Sequence, residues 1–254
     1  MSFAICEKLV KAGDPDRHLS AQAAPPEGRA ALMAIYAVNL EIARAPWASR
    51  EPLVAQMRLC WWDDAIIDIY RGEASASHEI LPALREVIFD HNLPQTLFIT
   101  LIKARHFDLY TAPHTDREAF DSYIDATSGT VMELAARVLG ATPETLPVIR
   151  DFAYGAGVAN LLRAVPALKA RGCKPLPEPA SDIVNSAIDR LNQARANRSN
   201  LPRHLAPALL AGWRADATLA EAKTRPKNIA AGLLEESPAR RMASQKWRRL
   251  TGRW

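Results

Sequence analysis

The sequence predicts an all-α, single-domain protein, and three observations carry that expectation. Apolar residues recur at i, i+3 and i+4 along most of the chain, the spacing of a helix with one buried face. No segment alternates apolar and polar residues with β-branched side chains at strand length. Glycine is scarce, 11 in 254 residues, while prolines such as Pro25, Pro26, Pro46 and Pro94 stand at the joints between periodic stretches, where their fixed φ and missing N–H open or close helices. With 48% hydrophobic and 24% charged residues, the chain has the composition of a globular domain with a real core.

The elements follow in order. Arg29–Ala45 sets Leu32, Ile35, Tyr36, Leu40 and Ala43 on one face, after Ala24-Pro25-Pro26 and before Pro46. Leu53–Tyr70 comes next and ends at Arg71-Gly72; Ile80–Asp90 closes at His91-Asn92. Pro94 starts a helix through Leu109, and Thr115-Asp116-Arg117-Glu118 has the order of a capping box opening one through Leu139-Gly140. Another runs from Glu144 to Lys169. After the proline-rich stop Lys174–Pro179, Ser181-Asp182 caps a helix through Ala196, and Leu205–Ala222 continues in the same style. The expected total is about eight to ten helices, with residues 1–236 as the helical domain and 237–254 as a basic tail.

Charge is uneven along this plan. The net value is +4, yet Arg240, Arg241, Lys246, Arg248, Arg249 and Arg253 crowd the last stretch with no acid among them, leaving the first 236 residues with 26 basic and 28 acidic groups. A nearly neutral body argues against a nucleic-acid-binding face there and directs attention to the tail. Trp247, Leu250 and Trp254 fall at i, i+3 and i+7 among those cations, the pattern of a segment lying at an anionic membrane surface. The membrane-contact candidates are therefore Arg240, Arg241, Lys246, Trp247, Arg248, Arg249 and Trp254, against the plainer reading of a tail packed on its own domain. No run approaches the ~18–20 apolar residues of a spanning helix. The first residues lack a signal or organelle presequence, so the expected compartment is cytoplasmic, with peripheral attachment to the inner membrane as the finer expectation. Cys6, Cys60 and Cys173 are widely spaced, which suggests free thiols rather than disulfides or zinc ligands, and the scattered histidines suggest no metal site.

A series of short motifs resembles the squalene/phytoene synthase superfamily. The match starts at Cys6-Glu7-Lys8-Leu9-Val10 and Asp14-Pro15-Asp16-Arg17, and proceeds through Arg29, Ala34-Ile35-Tyr36-Ala37, Trp61-Trp62 and Ile69-Tyr70-Arg71-Gly72. It continues with Tyr123, Val138-Leu139-Gly140, Asn160-Leu161-Leu162-Arg163, Leu176-Pro177 and the helix Ala187–Arg195. The resemblance implies an isoprenoid-synthase-type helical bundle around a central cavity. In catalytic members two aspartate-rich motifs face each other there and bridge magnesium ions that neutralise a diphosphate. Laid on Tyr36–Trp47, the first motif's aspartate positions are Ala43, Arg44 and Trp47; in the second, the glutamine position is Gly157 and the aspartate positions are Ala164 and Leu168, with Asn160 and Arg163 retained. Alanine cannot ligate magnesium and an arginine repels it, so the family's metal-dependent prenyl transfer is not expected, and neither is a cofactor.

The departures look like one branch of the superfamily, the non-catalytic mitochondrial respiratory complex I assembly factors and their bacterial relatives. The residues carrying that likeness include Ala37, Asn39, Glu41, Ala43, Arg58, Trp62, Leu162, Arg163, Ala164 and Pro166. It implies an assembly factor acting on a complex I subunit or assembly intermediate. The vacated cavity then offers Asn39, Glu41, Arg44, Asn160 and Arg163 either as an internal polar network or as a pocket for an isoprenoid or lipid head group. A different class, a prenyl-diphosphate transferase with a rearranged metal site, would rest on Asp64 and Asp68, which share a helix face; the plainer reading is a solvated acidic face with Trp62, Ile66 and Tyr70 turned inward.

Overall fold

Residues 26–44 are mostly apolar on every side, and the helix they form, α3 (Pro26–Arg44), is buried from Ala31 to Asn39 and again at Ile42. Proline at its first turn suits the helix start, where no N–H partner is needed. The computed structural model describes residues 2–49, 51–73, 77–234, 243–244, 247–248, 251 and 253–254. Before α3 lie α1 (Ser2–Gly13) and α2 (Pro15–Ala21), the latter capped by the Asp14 carboxylate accepting from Arg17 N at 2.9 Å. After it come α4 (Pro52–Arg71), α5 (Leu81–Asp90), α6 (Gln95–Arg105), α7 (Arg117–Ile124) and α8 (Thr130–Arg137). The chain continues with α9 (Leu146–Ala170), α10 (Ala180–Ala196), α11 (Ala206–Leu209), α12 (Ala215–Thr224) and α13 (Lys227–Ala231). The all-α expectation holds: the described residues form a helical bundle without strands.

The 25-residue α9 is the axis. It is apolar all round, as a helix surrounded by other helices must be, and it packs against α7, α8, α10, α12 and α13. Its contact with α10 is close because position 155 is glycine: a β-carbon there would lie 2.4 Å from Leu191 Cγ and 2.9 Å from the Ala187 carbonyl oxygen. Large side chains fill the rest, with Tyr36, Phe98, Phe120, Phe152 and Tyr154 buried almost completely.

Several expected boundaries shift for physical reasons. Thirteen α-helical elements stand among the described residues, more than the eight to ten expected, because α1, α2 and α13 add to the stretches foreseen and two long periodic stretches are interrupted. The stretch from Thr115 to Gly140 is broken by a π-helical turn at Asp125–Gly129, and Leu205–Ala222, led in by a 3-10 turn at Arg203–Leu205, is broken by another at Leu210–Gly212. The N-cap of α7 is Asp116 rather than Thr115: its carboxylate accepts from Ala119 N at 2.8 Å, while the Thr115 hydroxyl donates to the same carboxylate. Nor does Ser181-Asp182 cap α10, which starts at Ala180 after Pro179 with no side-chain cap. The helical character of residues 2–21 has no counterpart in the periodicity reading.

Candidate functional site

The end of α3, the second half of α9 and the π turn enclose a cavity of about 290 Å³. Each wall has a local cause. Pro46 ends α3 and drops the chain into a 3-10 turn, Ala45–Trp47, which swings Trp47 inward; the Arg171 guanidinium lies 4.5 Å from the centre of its ring. On the facing side, the π turn between α7 and α8 brings Thr127 and Ser128 to the wall. Gly157 of α9 permits that approach, since a β-carbon would stand 2.6 Å from Ser128 Cβ and 2.9 Å from Ile124 Cγ2.

The positions singled out in the two motifs converge here. Ala43, Trp47, Gly157, Ala164 and Leu168 all line this one cavity, so the two segments do face each other as the resemblance implies. What they present is apolar. Asn160 lines the cavity, but Asn39, Glu41, Arg44 and Arg163 do not. Arg44 is half-exposed and pairs with Glu41 one turn earlier on α3 at 3.6 Å. Asn39 is buried in the body of α3, its side-chain oxygen without a hydrogen-bond partner. Arg163 donates to Asn160 Oδ1 at 2.9 Å and lines an adjoining pocket of about 210 Å³ with Asp14, Asp16, Arg17 and Arg214. Acids hold the arginines of that pocket: Arg17 pairs with Asp14 at 2.7 Å and Arg214 with Asp16 at 3.3 Å.

The polar end of the main cavity comes from residues the motif reading passed over. Arg105, at the end of α6, donates to Asp108 Oδ2 and to the Tyr123 hydroxyl, both at 3.0 Å, and Tyr123 in turn donates to Asp108 Oδ1 at 2.8 Å. Burial pushes the Tyr123 phenol above its ordinary range, so it serves as a neutral donor. His114 stacks on Phe107 with ring centres 4.0 Å apart, and burial lowers its pKa, which keeps the ring neutral at neutral pH. Tyr123 stands among the resemblance residues and Arg105–Asp108 has an i, i+3 spacing, but no sequence signal places all three at one cavity.

Magnesium is the group this fold implies, and these residues do not fit it. The motif positions supply methyl, indole and isobutyl groups, and the cavity's carboxylate, Asp108, is taken up by Arg105 and Tyr123. Among the described residues no cluster of His, Cys, Asp or Glu could hold a metal ion. Asp64 and Asp68 lie on α4, away from the cavity lining: Asp64 is exposed, while Trp62 and Ile66 are buried and the Tyr70 hydroxyl donates to the Leu93 carbonyl at 2.5 Å.

Of the tail candidates, Arg240, Arg241, Lys246 and Arg249 lie outside the described residues. Trp254 is buried, its ring edge-on to Phe152 at 5.0 Å, and Arg248 donates to Asp216 of α12 at 2.6 Å. These two residues therefore face the body instead of an outer surface, a correction that follows from the apolar slot beside Phe152. Trp247 is half-exposed. No helix among the described residues is long and apolar enough to cross a membrane.

A helical bundle with two motif segments facing across a cavity defines an isoprenoid-synthase-type protein, and the squalene/phytoene synthase family model matches residues 10–181. The chain belongs to the squalene/phytoene synthase family. Among curated proteins it is similar to the mouse NADH dehydrogenase (ubiquinone) complex I, assembly factor 6, at 22% identity over 82% of this chain and 70% of the relative. The fruit-fly homolog of that factor is 28% identical over 63% of this chain and 50% of its own length. The chain thus spans about half the length of some relatives and more of others. In structure it is similar to squalene synthase HpnC from Alicyclobacillus acidocaldarius, with a TM-score of 0.78 at 18% identity over 89% of this chain and 94% of the other. A dehydrosqualene synthase solved with a ligand gives a TM-score of 0.67 at 16% identity, over 97% of this chain and 94% of the other.

Proposed function

We propose that this chain is a non-catalytic member of its family that works as an assembly factor for respiratory complex I. One observation carries the first half: of the six positions where, by the resemblance, the family's magnesium-binding and diphosphate-binding side chains belong, five line one cavity as Ala43, Trp47, Gly157, Ala164 and Leu168, and the sixth, Arg44, pairs with Glu41. Ionising a prenyl diphosphate needs its leaving charge neutralised by metal, and such a wall neither ligates a cation nor repays dehydrating one. The second half is supported by the assembly factor 6 relatives. Under this reading the partner is a complex I subunit or assembly intermediate, and the place of action is the inner membrane's surface.

The test is twofold. Deleting the gene is expected to deplete assembled complex I on a native gel while leaving carotenoid and hopanoid levels unchanged; normal complex I would end the assembly reading. Purified protein with magnesium and farnesyl diphosphate is expected to release no pyrophosphate, and steady turnover would end the non-catalytic reading. A second reading, an isoprenoid- or lipid-binding module, is favoured by the cavity itself, apolar along Trp47, Leu161 and Leu168 with a hydrogen-bonding end at Tyr123.

A further inference from the structure

Docking of the C-terminal residues builds a surface that neither the tail nor the body has alone. Trp254 sits against Phe152; Arg195 Nε donates to its backbone oxygen at 3.4 Å, and the Arg198 guanidinium lies 5.2 Å from its ring centre. Arg195 also grips both oxygens of Asp216 at 2.7 and 2.8 Å, and Arg248 reaches one of them at 2.6 Å. Asp216 offers these two arginines one negative charge between them. The result is that Arg248 and Arg253 lie beside Arg195, Arg198 and Arg203, at the end of α10 and in the turns after it. Arg198 registers the crowding: burial first, and then the charges of Arg253, Arg195, Arg203 and Arg248, lower its pKa. Arg203 and Arg253 are exposed, and Arg253 lies 5.5 Å from the ring centre of Trp247, itself 50% exposed.

We propose that the docked C-terminal segment and the end of α10 form one composite surface for an anionic phospholipid membrane, with the exposed Arg203 and Arg253 meeting phosphate head groups and Trp247 lying at the interface. Guanidinium groups match phosphate oxygens bidentately, and Arg203 and Arg253 present theirs at the surface. An exposed indole beside them suits the boundary between head groups and acyl chains. Nucleic acid is the weaker match, because a single-strand binder sets a row of stacking aromatics along a groove and this face offers one indole, already facing Arg253. The surface differs from a free tail acting as an anchor, since Arg198 and Arg203 belong to the body while Arg248 and Trp254 hold the tail down. It does not depend on the assembly reading.

The experiment is flotation of the full chain with vesicles of phosphatidylcholine, alone or with about 30% phosphatidylglycerol, at low and moderate salt. Binding is expected to the anionic vesicles only and to weaken with salt. Arg203→Glu is expected to lower the partition coefficient about tenfold or more, and Trp247→Ala several-fold, both with unchanged melting temperature. Equal binding to both vesicle types would overturn the proposal. So would wild-type binding by Arg203→Glu, which would mean that the tail acts alone, or tighter retention of a duplex oligonucleotide than of anionic vesicles at the same salt.

Discussion

At position 157, where the resemblance sets a glutamine, stands the one residue that lets the π turn close on α9. Restoring a side chain there sets it against Ser128 and Ile124, whose atoms already stand inside contact distance of a β-carbon. Gly157→Ala is therefore expected to cost about 1–3 kcal/mol in urea denaturation, Gly157→Gln more, and Ser128→Gly is expected to recover part of the loss in the double variant. A gain in stability from Gly157→Gln would mean that Ser128 and Ile124 do not press on this position. Asp108 is the second test at this scale. Its carboxylate serves both Arg105 and Tyr123 in a largely buried setting, so Asp108→Ala leaves a charged guanidinium without its counter-ion. About 2–3 kcal/mol of stability should be lost, less than for a fully enclosed pair because Arg105 keeps 19% of its side chain exposed. Tyr123→Phe, which removes only a hydroxyl, should cost about 1 kcal/mol.

Among the elements, α7 shows how a cap is chosen. Thr115 and Asp116 both have the chemistry, but a carboxylate accepts more strongly and also meets the positive end of the helix. Asp116→Ala should cost about 1 kcal/mol and Thr115→Ala less than half that, read from thermal unfolding. The docked C-terminal segment carries a pH dependence through Asp216. Burial acts to raise that carboxyl, but hydrogen bonds and charges from Arg195 and Arg248 outweigh it and hold the pKa below the ordinary value. Since the folded value is depressed, the docking contribution is complete above the ordinary carboxylate range and is lost as pH falls through the depressed one. Acidification below about pH 4 should therefore increase acrylamide quenching of tryptophan fluorescence, and Asp216→Asn should do the same at neutral pH. Neither increase should appear in a Trp254→Phe background, and persistence there would place the change elsewhere.

The molecule as a whole keeps the family's bundle and its facing segments while altering what lines the space between them. Three arginines near that space are matched by acids from the same chain, Arg17 by Asp14, Arg105 by Asp108 and Arg44 by Glu41, while Lys174 also lines it. A cavity apolar at its motif positions and bordered by acid-paired arginines should hold an uncharged chain better than a diphosphate. Calorimetry with farnesol and with farnesyl diphosphate plus magnesium is expected to favour farnesol, and the opposite order would contradict this view of the site.

The amino-acid sequence by itself determined the helical class, because the apolar period of α3, α4 and α10 is written in consecutive residues. It also determined that Ala43, Arg44, Trp47, Ala164 and Leu168, where the resemblance sets the family's aspartates, carry no carboxylate, since that needs no coordinates to be seen. Tertiary structure alone decided which of those positions share a cavity, that Arg44 and Arg163 are not in its lining, and that Arg105, Asp108 and Tyr123 supply its polar end. The break at Asp125–Gly129 and the slot that receives Trp254 belong to the same group. Local periodicity reports which face of a helix is apolar, whereas a π turn, a shared cavity and a docked ring depend on contacts between segments far apart in the chain, which no local pattern records.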